Sequence, residues 1–275
     1  MPALFGSDAF TPDAIAERIQ QVGVSKARLP LHKLVLLGIL AGGFIGLGAM
    51  FFVVVASDST LGFAVSRVLG GVCFALGLLL VVVAGAELFT GNNLLMMAWA
   101  DGRISTREVL RNWAIISLAN LVGALGLAAL VYLSGHTAMN QGGIGEHYVR
   151  IAAAKCALPF GTAFVSGVLC NVLVCLAVWM SFAGRTVVDK AIAIVPPIAA
   201  FVAAGFEHSV ANMYFLPMGL LLKATHPEIA GSDGITMAAA LGNLAPVMLG
   251  NLVGGSGFVA LVYYLAYRRT MRGDP

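Results

Sequence analysis

Apolar residues run along this chain in blocks long enough to cross ~30 Å of hydrocarbon as helices, which takes about 20 residues each. Six such blocks fall near 31–56, 63–100, 109–134, 149–183, 187–222 and 235–267, so the pattern predicts an all-α membrane protein with one membrane domain. The second and fifth blocks are too long for simple spans, and polar residues interrupt them near 86–91 and 205–208. The two interruptions repeat each other. Gly85-Ala86-Glu87 is followed five residues on by Asn92, and Gly205-Phe206-Glu207 five residues on by Asn212. A glutamate inside a span is costly, so two of them at matched positions beside a glycine mark helices broken for a functional reason.

The repeat extends further, because Asn120-Leu121-Val122-Gly123 in the third block recurs as Asn251-Leu252-Val253-Gly254 in the sixth. Each half is therefore expected to be a three-helix unit with its break in the middle helix. Three spans per unit is odd, so the two units are inverted in the membrane, an architecture that places a solute site near the midplane where half-helices meet. Gly38, Gly42 and Gly46, and Gly250 with Gly254, recur every four residues and read as places where helix backbones pack closely.

The chain divides into an N-terminal segment 1–30, a pore domain 31–267 and a basic tail 268–275. In the first segment Thr11-Pro12-Asp13 reads as a helix start, and Ile15, Ile19 and Val22 form one apolar stripe. Asp13 and Glu17 argue against a secretory signal. The helix is expected at the cytoplasmic surface, as an interfacial anchor more readily than as a gate.

Composition agrees with a membrane class: 59% of residues are hydrophobic and 11% charged, with a mean hydropathy of +0.92. Counting Lys and Arg orients the chain. With both termini inside, the cytoplasmic segments hold Arg18, Lys26, Arg28, Lys33, Arg103, Arg107, Arg111, Arg185, Lys190, Arg268, Arg269 and Arg272, twelve of the sixteen, and Arg67, Arg150, Lys155 and Lys223 lie outside. Cys73, Cys156, Cys170 and Cys175 form neither a CxxC pair nor a zinc spacing and read as packing residues. No HExxH, GxGxxG or Walker A motif is present, so neither an enzyme nor a cofactor, a metal or a nucleic-acid partner is expected.

The breaks carry the chemistry. The second half-helices begin near Gly91 and near Ser209, and their unpaired N–H groups and positive dipole ends favour an anion at the centre. Thr90 adds a hydroxyl there and His208 an imidazole. Glu87 and Glu207 would repel an anion if they faced the path, so both are expected to turn back and accept N–H groups of the broken backbone. Were they to face the pore, the solute would be a cation or neutral.

The segments Gly-Ala-Glu87-Leu88-Phe89-Thr90-Gly, Asn171-Val-Leu-Val-Cys-Leu-Ala-Val-Trp179-Met, Gly-Phe-Glu207-His208-Ser-Val-Ala-Asn212-Met and Gly250-Asn251-Leu-Val-Gly-Gly resemble the signature segments of the formate/nitrite transporter family. The resemblance covers all six spans. It implies an aquaporin-like protomer, a homopentamer with one pore per protomer in the cell inner membrane, and transport of small monovalent anions such as formate, nitrite or hydrosulfide. By position it implies His208 and Thr90 at the pore centre and Asn171 and Asn212 on the pore side. It also implies Leu78 and Leu88 at a cytoplasmic slit, Phe74, Phe89 and Phe201 at an outer one, and Lys155 as an outer electrostatic lure for anions. Without the resemblance the Phe and Leu residues read as ordinary core, and Lys155 as a side chain reaching for the lipid headgroups.

An anion loses hydration at an apolar slit, and a central donor offsets part of that loss. His208 is expected either to hold the anion or to hand it a proton. Formate leads among the substrates, since 10–27 resembles the formate-type members. A neutral-solute channel of aquaporin type is the rival from another class, but no Asn-Pro-Ala is present. Lys155 carries the wrong charge for an ammonium channel.

Overall fold

The computed structural model describes residues 9–272; the first eight residues and the last three of the basic tail lie outside them. The described residues form ten main helices joined by turns and short 3-10 segments. Helix α1 (Pro12–Ala27) starts where Thr11 Oγ1 accepts the Ala14 N–H, with Pro12 in its first turn, and has Lys26 in its last turn. Helix α2 (Leu31–Ala56) follows, then α3 (Phe63–Gly85), whose last turn widens to a π-turn at Leu80–Gly85. The chain restarts through a 3-10 turn at Gly91–Leu94 into α4 (Leu95–Ala100). Helix α5 (Thr106–Leu133) opens on a capping box between Ser105 and Glu108.

The second half repeats this order: α6 (Gly143–Cys156), α7 (Phe160–Ser181), α8 (Val187–Ala204), α9 (Ser209–Thr225) and α10 (Met237–Tyr267). Among the described residues six helices, α2, α3, α5, α7, α8 and α10, are long and apolar enough to cross a membrane. The fourth block was expected to run from 149, and the structure corrects this. Helix α6 ends at Cys156 and α7 begins only after Pro159, because proline supplies no N–H and fixes the entry of a new helix. Lys155 therefore sits on α6, outside the spans.

Helix α6 also enlarges the repeat from three helices to five elements per half. It is the counterpart of α1: one packs on α4 at one face, the other on α9 at the opposite face. Because α1 also packs on the end of α10, both described termini lie at the same face, called here the near face. The apolar stripe of α1 is not turned to lipid. Ile15 and Ile19 are buried against Met97, Trp179 and Tyr264.

Glycines set the two tightest helix pairs, α2 with α5 and α7 with α10. A Cβ on Gly42 would strike the Asn120 carbonyl and one on Gly123 the Ile39 carbonyl, while Gly250 meets the Phe164 carbonyl and Gly254 that of Val168. Backbone contact of this kind admits no side chain.

Candidate functional site

The two broken helices end alike. Gly85 (φ 89°) and Gly205 (φ 78°) take the left-handed conformation that stops α3 and α8, and the chain then turns back into the protein. Each returning loop is held by the asparagine of the repeated Asn-Leu-Val-Gly segment. Asn120 donates from Nδ2 to the carbonyls of Gly38 (2.7 Å) and Glu87 (2.9 Å) and accepts the Phe89 N–H (2.9 Å). Asn251 donates to the carbonyls of Gly167 (2.8 Å) and Glu207 (3.0 Å) and accepts the Ser209 N–H (2.9 Å). The repeat was visible in the sequence, but its use as a staple for the loops was not.

Glu87 and Glu207 each line a vestibule, and their carboxylates bind side chains rather than the backbone N–H groups expected. Glu207 accepts from Lys155 Nζ (2.7 Å), Asn212 Nδ2 (2.6 Å) and Asn243 Nδ2 (3.4 Å). Glu87 accepts from Lys26 Nζ (3.0 Å) and Asn92 Nδ2 (2.7 Å). The loop N–H groups are already engaged: Glu87 N–H by the Leu37 carbonyl and Glu207 N–H by Ser166 Oγ. A buried carboxylate then requires a cation and amide donors from elsewhere. Asn112 and Asn243 complete the two networks, donating to the Lys26 carbonyl (3.2 Å) and the Lys155 carbonyl (3.0 Å). Sequence reading missed Lys26, Asn112 and Asn243. The signal was a lysine four residues before a proline in the one case, Lys26 before Pro30 as Lys155 is before Pro159, and, in the other, an asparagine eight residues before each staple.

Between the loops Thr90 Oγ1 lies 3.1 Å from His208 Nε2, and both residues are buried. His208 caps α9, its Nδ1 accepting the Ala211 N–H at 3.1 Å. Phe201 stacks on the imidazole with centroids 5.8 Å apart, and the edge of Phe74 meets Phe201. Phe74, Phe201, His208 and Asn212 line a cavity of about 220 Å³ open to the far face. A cavity of about 470 Å³ at the near face is lined by Leu78, Leu88, Gly85, Glu87, Gly91 and, from α1, Arg18 and Lys26.

Three sequence candidates sit differently from the rest. Phe89 is buried in the core and lines neither vestibule. Asn171 stands behind Thr90, donating to the carbonyls of Thr90 (3.3 Å) and Asn251 (2.7 Å). Lys155 lines the far vestibule but is paired with Glu207.

A vestibule at each face of a six-span bundle, the near one bounded by Leu88 and Gly91 on either side of Thr90 and the far one ending on His208, describes a channel or transporter. The chain belongs to the formate/nitrite transporter family, whose model matches residues 13–265, a transport family and not one of enzymes. The chain is 39% identical to the formate channel FocA of Escherichia coli (strain K12), over 95% of this chain and 96% of that one. Among solved structures it is similar to a "Pentameric formate channel with formate bound" (38% identity, TM-score 0.81, 86% of this chain and 98% of that one). An aquaglyceroporin from Plasmodium falciparum shares the fold at 14% identity (TM-score 0.53, 86% of this chain and 100% of that one).

Proposed function

We propose that this protein passes formate and related small monovalent anions, nitrite and hydrosulfide among them, through a pore in each protomer of a homopentamer in the cell inner membrane. In this reading the near face is cytoplasmic, which puts the face carrying twelve of the sixteen Lys and Arg inside. The observation that carries the reading is the Thr90–His208 contact, set between apolar constrictions at the starts of two half-helices. An anion stripped of water at Leu78 and Leu88 or at Phe74 and Phe201 regains hydrogen bonds at the centre, where the helix ends also favour negative charge. Glu87 and Glu207 do not oppose it, because each is neutralised by a lysine.

His208 is the group available for proton coupling. Uptake by purified protein in liposomes tests the reading, comparing formate, nitrite, hydrosulfide and acetate with sulfate as the excluded anion. Equal permeability to glycerol, or dependence on ammonium, would sink it.

A further inference from the structure

The charge presented to the far vestibule does not come from its lysine. Lys155 spends its charge on Glu207, and its side chain is only 14% exposed. Arg67, on α3, lines the same vestibule and has no carboxylate partner among the described residues. Its Nε donates to the Ala203 carbonyl at 3.0 Å and its Nη2 to the Val202 carbonyl at 2.9 Å, which leaves Nη1 without a hydrogen bond among the described residues. Of the charged side chains lining the cavity, Lys155 and Glu207 cancel and Arg67 remains.

The carbonyls that Arg67 holds belong to the last turn of α8, where a helix carries about half a negative charge. Without Arg67 the vestibule would turn that negative end toward an arriving anion; with it the balance changes sign. Phe52, Phe206 and Phe215 line the same cavity, and apolar walls focus a field of this kind. His147 on α6, outside the spans, adds no charge at neutral pH, because burial and the neighbouring Arg150 and Arg67 hold it down to about 4. We propose that Arg67 is the residue that makes the far vestibule attractive to anions, with Lys155 and Glu207 serving as the fixed scaffold beneath it. This rests on the anion-channel reading above and names a specificity-determining residue within it.

The test is anion flux into liposomes for the parent, Arg67→Gln, Arg67→Lys and Arg150→Gln, with an impermeant salt added at the far face only. At low ionic strength Arg67→Gln is expected to lower formate permeability about three- to tenfold. Far-face salt should slow the parent toward the Arg67→Gln rate and leave that variant nearly unchanged. Arg67→Lys should keep most of the flux and the salt response. Arg150→Gln, which removes the same charge outside the vestibule, should stay within about twofold of the parent. Parent-like flux and salt response in Arg67→Gln would overturn the proposal, as would a folded Arg67→Lys as impaired as Arg67→Gln. If Arg67→Gln fails to assemble, a parent flux indifferent to far-face salt overturns it instead. A parent that moves nitrite but not formate removes formate as the substrate and leaves every comparison readable with nitrite. A parent that moves neither overturns the channel reading and this proposal together.

Discussion

His208 Nε2 sits 3.1 Å from Thr90 Oγ1 while Nδ1 of the same ring accepts the Ala211 N–H, and the second contact decides how the first is made. A neutral imidazole carries one proton. With Nδ1 accepting, that proton is on Nε2 and is donated to Thr90, which frees the threonine hydroxyl hydrogen for a solute. A second proton on the ring would set an N–H against the Ala211 N–H. Protonating His208 therefore requires opening the first turn of α9, so any proton coupling at this site is tied to a movement of the half-helix.

His208→Asn separates these roles. Asparagine is a good N-cap, so α9 keeps its start while the titratable ring is lost. The variant is expected to fold and to retain some anion permeation, but to lose the pH dependence of its direction or its proton coupling. Thr90→Val, which removes the freed hydroxyl, should lower flux by about tenfold or more at every pH. Formate flux recorded with internal pH across pH 5 to 8 distinguishes them. An Asn variant that tracks the parent in both flux and proton movement would make His208 a structural residue.

Hydropathy located five of the six spans to within a few residues, since a helix crossing hydrocarbon must be uniformly apolar. It misplaced the fourth because α6 is itself apolar enough to merge with α7 across Pro159. The breaks at Gly85 and Gly205 were legible from the glutamates beside them. What Glu87 and Glu207 bind was not legible, because Lys26 and Lys155 reach them from short helices at opposite faces. No spacing rule links residue 26 to residue 87. Asn171 was placed on the pore side by the family resemblance alone, and only packing shows that it binds the Thr90 and Asn251 carbonyls.

Gly123→Ala tests the close crossing of α2 and α5. The new methyl would strike the Ile39 carbonyl, forcing the helices apart at a cost of about 1–3 kcal/mol. Asn120 sits on the same crossing, so the Glu87 loop should loosen with it. Gly126→Ala meets nothing within 4 Å and is expected to leave the melting temperature unchanged in a thermal size-exclusion assay. Equal melting of the Gly123 variant and the parent would show that the crossing tolerates a side chain.

The wide apolar surface of the protomer, including Phe63, Leu130, Leu133, Ile192 and Phe258, must face lipid or neighbouring copies. Native mass spectrometry in mild detergent is expected to give a pentamer. A dominant monomer or dimer would count against that part of the proposed function.

The last prediction concerns α1, whose Lys26 supplies the cation for Glu87. Glu87 is 5% exposed, so removing the lysine leaves a buried carboxylate with Asn92 alone beside it. For a fully buried pair this costs about 3–5 kcal/mol. The Lys26 side chain is 30% exposed, which lets water take over part of the task, and about 1–3 kcal/mol is expected. The loss falls on the docking of α1, because Lys26 Nζ and the Lys26 carbonyl, held by Asn112, tie its last turn to the pore beside the more exposed Arg28–Glu108 pair at its C-cap. Lys26→Met should therefore raise hydrogen exchange across residues 12–27 without changing the oligomer. Glu87→Gln should do so less, since an amide still accepts from the lysine. If α1 works as a gate, deleting residues 11–24 will alter the pH or direction dependence of flux with the assembly intact. Unchanged transport at every pH, together with parent-like exchange in Lys26→Met, would reduce α1 to a structural element of the first repeat.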